Sequence, residues 1–304
     1  MRLPHLVALT ALLVPFGSAT LAAEPAAKPK AGTAQKSQAK AGAAQKPQAK
    51  AGKAAAGAAA AYSVASVAAV STAPAAEAQN QRCLEAVDSQ RLAEAETLCQ
   101  QAIAEASKSA ANTKHHATAI SNLATLRVQQ NRPAEAEAGY RQALGMYEAA
   151  LGPNHLAVAT SLSQLAGLYY QQDRYAEAEP LYRRALEVDE RALGADHLEV
   201  AKDLYNLANV LALQGKHAEA HGTHLRCLSI REKSLGASDP VVARSLAGMG
   251  TNLAMEGKLG EAEQAFERAT LITEGALGKD HPEAQYCRNW LSKVKGQRLS
   301  TIGQ

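Results

Sequence analysis

The chain has 304 residues, 47% of them hydrophobic but only 4% aromatic, and a formal net charge of +3. So few rings cannot fill one large globular core, whereas alanine-rich helix pairs with close, thin interfaces tolerate the shortage. The near-neutral charge gives no case for a nucleic-acid partner.

Met1 to Ala23 reads MRLPHLVALTALLVPFGSATLAA, with Arg2 as a positive start, an apolar run from Leu6 to Phe16, and small residues after it. This is the pattern of a secretory signal peptide over 1–23, with cleavage expected after Ala19, Ala22 or Ala23. The run is too short to span a membrane and is broken by Pro15. The expected location is therefore periplasmic or secreted. Residues 24–74 are expected to be a disordered Ala/Lys/Gln-rich linker, in which AGTAQKSQAK (Ala31 to Lys40) is followed by AGAAQKPQAK (Ala41 to Lys50). Between Glu24 and Ala61, seven lysines against one glutamate give +6, which leaves −4 for residues 62–304. Such a tail makes weak, salt-sensitive contact with anionic envelope material or serves as a spacer.

From residue 75 to 297 the chain repeats. Leu-Gly pairs stand at Leu151-Gly152, Leu193-Gly194, Leu235-Gly236 and Leu277-Gly278, each 42 residues from the last. A period of this size marks a solenoid. In the clearest unit Leu162, Leu165, Ala166 and Tyr169 share one helix face, Gln172-Asp173-Arg174 makes a turn, and Ala178, Tyr182, Ala185 and Leu186 share a face of the next helix. Small residues at the crossings let two backbones approach, and large ones fill the gaps beside them. Arg127 spoils one apolar position of the unit upstream. Asn154, Asp196, Ser238 and Asp280 occupy one place in the period and are expected N-caps. Each Leu-Gly glycine is expected to end the helix before it in the left-handed conformation. A first, degenerate hairpin is expected over residues 75–107, where LAEAETLCQQAI mirrors PAEAEAGYRQAL; Cys83 and Cys99 lie on its two helices at similar height, and an exported chain would join them. Cys227 takes an alanine position and is expected to be buried and free, while Cys287 is open to either state. About five hairpins and a closing helix are expected, then a polar tail over 298–304.

The motifs LGxxHxxVA, at Leu151 and Leu193, and YAEAExLYRRAL, at Tyr175, resemble the tetratricopeptide repeats of kinesin light chains and bacterial proteins in their 42-residue form. The resemblance implies an all-α fold, a right-handed α-solenoid of stacked helical hairpins. It also implies a non-enzymatic scaffold that binds a protein or peptide in its concave groove. By alignment the groove is lined by Asn122, Gln164, Tyr170, Lys202, Tyr205, Asn206, Asn209 and Arg244, with Thr118, Thr125, Thr160 and Thr251 beside them. Members of the family that bind acidic or C-terminal peptides use asparagines and basic residues at such positions. Lys202, Asn206 and Asn209 match that pattern, and the further basic residues it calls for are absent. Trp290 falls at the position of Asn206 on the closing helix and is expected to cap the last hairpin.

Other chemistry is weak. His155, His197 and His281 recur in separate repeats and cannot converge on one metal. His217, His221 and His224 share a helix at metal-ligand spacing, yet His217 and His224 stand where the preceding unit has Tyr175 and Tyr182, which reads as packing. No nucleophile–base pair or phosphate loop occurs, so neither catalysis nor a cofactor is expected. The rival to a groove binder is an envelope tether that attaches through the basic tail.

Overall fold

The computed structural model describes the backbone of residues 62–302 and the side chains of residues 73–301. The signal peptide expected at 1–23 and the linker over 24–61 lie outside the described residues. Apart from the first turns of α1, everything below belongs to the compact unit Thr72–Gln304.

Among the described residues the chain is all helical. The helices are α1 (Tyr62–Asp88), α2 (Leu92–Ala106), α3 (Thr113–Gln129), α4 (Pro133–Leu151), α5 (Leu156–Gln171), α6 (Tyr175–Leu193), α7 (Leu198–Leu213), α8 (His217–Leu235), α9 (Pro240–Glu256), α10 (Leu259–Leu277) and α11 (Pro282–Ile302). They form five hairpins and a closing helix, and from α2 onward each packs on its successor. Small residues sit where the backbones cross: Ala136, Ala143, Ala178, Ala185, Ala220, Ala262 and Ala269 are fully buried. Leu162, Leu165, Ala166 and Tyr169 are buried on α5 as their spacing requires. Gly250 marks a tight crossing, since a Cβ there would stand 2.9–3.1 Å from the Phe266 ring.

The ends of the repeats differ from expectation. α1 starts at Tyr62, so the backbone of 62–74, expected to be disordered, is helical; the stretch is rich in alanine and free of glycine, which favours helix. α11 continues to Ile302, past the expected end at 297, because Lys295 and Arg298 pair with Glu267 and Glu263 of α10, both at 2.8 Å. The N-caps fall one residue later than expected. His155, His197, Asp239 and His281 accept from backbone N–H groups two residues on, at 3.1, 3.1, 2.7 and 3.3 Å. At His155, His197 and Asp239 the backbone is extended, as at an N-cap, and it is the extended residue whose side chain can turn back to the first helical turn. Asp196 instead bonds Lys233, at 2.5 Å. The four Leu-Gly glycines have φ of 85–90°. Their ψ of 153–160° makes the backbone extended rather than left-handed helical, a region open essentially to glycine alone.

Ion pairs at the repeat period hold one hairpin to the next. Glu148, Glu190 and Glu232 bind Arg184, Arg226 and Arg268, at 2.6, 2.5 and 2.5 Å. A second row is built on Glu96, Glu137 and Glu179, which bind Arg127, Arg174 and Lys216; Arg174 and Lys216 share one place in the period, and Arg127 reaches its acid from another. Arg127 therefore spoils nothing: it forks onto Glu96, and this bond, the largest cause, holds the Glu96 carboxyl down to about 2.

In the first hairpin the sulfurs of Cys83 and Cys99 are 2.08 Å apart, joined as a disulfide. Forty-one residues later the same places are held by Ala124 and Tyr140, both buried. The cross-link thus stands where later hairpins pack alanine against an aromatic ring. Replacing both cysteines by alanine is expected to cost the first hairpin about 3 kcal/mol. Hydrogen exchange of the α1 and α2 amides reads it directly; unchanged protection would show that packing alone holds this end.

Candidate groove on the first helices of the hairpins

The first helices of successive hairpins, α1, α3, α5, α7, α9 and then α11, form one wall, and their side chains bond from one to the next. Asn122 donates to the Asn80 carbonyl at 3.4 Å, Ser121 to Gln164 Oε1 at 2.7 Å, and Ser163 to Asp203 Oδ1 at 2.9 Å. Gly248 of α9 lies against α7, so close that a Cβ would stand 2.9 Å from the Tyr205 ring and 3.5 Å from Asn209 Oδ1. Arg244 then reaches Glu283 of α11 at 2.8 Å.

This wall sorts the expected groove residues. Asn122 is buried and spends its amide on the neighbouring repeat, so it is structural. Gln164 is half-buried, and its side-chain oxygen is taken by Ser121. Tyr170, Tyr205, Asn206 and Asn209 are half-buried with faces toward solvent. Lys202 is exposed but held by Glu199 at 2.7 Å, one helical turn before it. Arg244 is held by Glu283. Each cation has an acidic neighbour, which lowers the positive charge the wall offers to an acidic partner.

One groove residue escaped the sequence reading. Tyr286 of α11 stands 42 residues after Arg244 and 84 after Lys202, at the same place in the period. Burial pushes the Tyr170 hydroxyl up to about 12, and the neighbouring Tyr205 and Tyr286 add to the shift. Burial raises Tyr205 and Tyr286 as well, while Asn209 beside the first and Thr251 beside the second act against it. Tyr170, Tyr205 and Tyr286, on α5, α7 and α11, thus add neutral phenols to the wall that donate and accept hydrogen bonds.

The tetratricopeptide repeat model matches residues 116–191, 157–233 and 204–275, together more than half of the chain. The chain belongs to the tetratricopeptide repeat family. No curated protein matches it. Its structure is similar to that of BtubC (BKLC) from P. vanneervenii, with a TM-score of 0.63 and 24% identity over 72% of this chain and 87% of that one. It is also similar to the putative kinesin light chain repeats of Podosopora anserina, with a TM-score of 0.58 and 19% identity over 66% of this chain and 96% of that one. Identities this low show shared fold alone.

Within these tetratricopeptide repeats the histidines have structural places. His217 shares a 2.9 Å bond with Asn252 Oδ1, and Asn252 donates back to the His217 carbonyl. His224 is fully buried, edge-on to the Tyr205 ring at 6.0 Å, and neither ring nitrogen has a partner. No three His, Cys, Asp or Glu side chains converge on a metal site among the described residues. Cys227 and Cys287 are buried free thiols. Burial raises both, Cys287 to about 11, so neither is a ready nucleophile. Trp290 lies flat on Phe266 at 5.6 Å and closes the last hairpin. A cleft of about 370 Å³ between α2 and α4, with Ile120 and Leu123 on its floor, lies beside the Arg127 ion pair and contains none of the tyrosines.

Proposed function

We propose that the chain is an adaptor that holds an extended segment of a protein partner against the wall formed by α5, α7, α9 and α11. Tetratricopeptide repeats bind proteins and peptides through such walls. The observation that carries the reading here is the set Tyr170, Tyr205, Asn206, Asn209 and Tyr286, drawn from three repeats onto one surface. Asparagine amides match the donors and acceptors of an extended backbone, and the phenol faces take apolar side chains between them. Because Lys202 and Arg244 are each paired, the partner segment is polar and largely uncharged rather than acidic.

We further propose that the adaptor works in the cell envelope. The pattern at 1–23 and the joined cysteines of the first hairpin, which persist in oxidising compartments, support this place. The tether reading draws on a different observation, the seven lysines between Glu24 and Ala61. Removing residues 24–61 separates the two: an adaptor keeps its partner, and a tether comes off the envelope. For the wall itself, Asn206→Ala with Asn209→Ala is expected to weaken partner binding by roughly tenfold to a hundredfold, at about 1 kcal/mol for each lost bond. Circular dichroism should be unchanged. Undiminished binding would exclude this surface.

A further inference from the structure

Two seams between hairpins carry polar side chains at the same two places, and they differ in kind. In the α8–α9 seam Arg231 donates to Ser245 Oγ at 2.7 Å. Forty-two residues earlier, at the same two places in the α6–α7 seam, stand Asp189 and Asp203. Asp203 is 2% exposed and Asp189 8%. Asp203 Oδ1 accepts from Ser163 of α5 at 2.9 Å, while its Oδ2 is buried with no donor. Asp189, the acid at the matching place on α6, is the group that faces it. Two carboxylates cannot both stay ionised in contact and out of water.

We propose that Asp189 and Asp203 share one proton and act as a pH-sensitive latch on the α6–α7 seam. With the proton present, the O–H of one carboxyl donates to the oxygen of the other and the seam closes. Without it, two negative charges face each other away from water, and α7 parts from α6. Few other groups bear on the pair: Lys202, Glu199 and His197 at the start of α7, the Tyr182 hydroxyl on α6, and Ser163 on α5. Lys202 and His197 favour ionisation, and Glu199 opposes it. Burial outweighs them and raises both acids, Asp203 well above the ordinary carboxylate range. A raised folded pKa means that the latch is fully closed below the unfolded carboxylate value and is lost as pH rises through the folded one. Because α7 also carries Tyr205, Asn206 and Asn209, opening it would disturb the wall; that consequence alone rests on the adaptor reading.

The test uses the full chain and needs no partner. Urea unfolding of wild type, Asp203→Asn and Asp189→Asn is followed from pH 4 to pH 9. An asparagine donates its amide to the remaining carboxylate and needs no shared proton. Between the unfolded carboxylate value and the folded titration of the pair, the unfolding constant of wild type is expected to rise by up to tenfold per pH unit relative to either variant, because folded wild type then holds one proton that its unfolded chain has lost. All other titrations cancel in that comparison. Followed over the same pH range, wild type should also show the infrared carbonyl band of a buried protonated carboxyl that disappears as the pair titrates, a band that Asp203→Asn lacks. If one variant fails to fold, the other and the wild-type band still decide. Parallel pH profiles, or no such band in wild type, would overturn the proposal.

Discussion

Phe266→Ala is expected to cost about 3–5 kcal/mol and to release the C-terminal end of the solenoid. Phe266 is among the largest side chains with no exposure at all. Its ring lies parallel to that of Trp290 on α11, within 5°. The ring also fills the space left by Gly250. Removing the ring empties a cavity between three helices, and α11 has no further hairpin behind it to hold it in place. In a stack of repeats the loss at an end falls on the last interface first. Trp290 is the chain's one tryptophan, so its emission reports the event directly. The emission should shift to the red at lower urea than the loss of bulk helicity. A single transition with stability reduced by under 1 kcal/mol would show that α11 is held by something other than this stack.

Acid should weaken the wild-type solenoid through His224, and His224→Phe should remove that sensitivity. Burial holds the His224 imidazole down to about 3, and the positive charge of His221 and Arg231 pushes the same way. An unfolded histidine has an ordinary value of about 6.5. The sign follows: above 6.5 both states are neutral and the stability is fully present; below it only the unfolded chain takes up the proton. Stability therefore falls by about 1.4 kcal/mol per pH unit, or about 4 kcal/mol between pH 6.5 and pH 3.5. The same place is Tyr140, Tyr182 or Phe266 in three of the other hairpins, so the site is built for a ring. The histidine adds two buried nitrogens without partners. Phenylalanine should thus stabilise the fold by about 1–3 kcal/mol even at pH 7. Urea melts of the two proteins at pH 7 and pH 3.5 measure both effects; equal losses on acidification would place the acid sensitivity elsewhere.

Much of this architecture was legible because the repeat writes each packing position several times. The spacing of Leu162, Leu165, Ala166 and Tyr169, repeated 42 residues on, fixes the buried face, and its return fixes the stacking. Register also tells which side chains share the wall, Tyr286 among them, since it stands one period after Arg244. What register could not tell is what those side chains do. The amide of Asn122 is spent on the Asn80 carbonyl, 42 residues away, and Arg244 meets Glu283 across two helices. Such pairings depend on where neighbouring backbones come to lie, not on the period of one helix. The Glu199–Lys202 pair was different, since its i, i+3 spacing was open to view. The N-caps slipped by one residue because aspartate and asparagine are the stronger capping types. The chain uses the histidine after them, whose ring nitrogen reaches the same backbone N–H. Asp189 and Asp203 sit fourteen residues apart on different helices, a spacing no single-helix pattern flags.

The central claim is that the wall of first helices, and no other face, receives the partner. Placing a photoactivatable cross-linking residue at Asn206 in one protein and at Leu271 of α10, which is 73% exposed, in another tests it most directly. Each is expressed in the native host with residues 1–61 intact and irradiated there, and the adducts are mapped by mass spectrometry. The account predicts a discrete adduct from position 206 that is lost when Tyr170 and Asn209 are also replaced by alanine, and none from position 271. An adduct from 271 with none from 206 would contradict it.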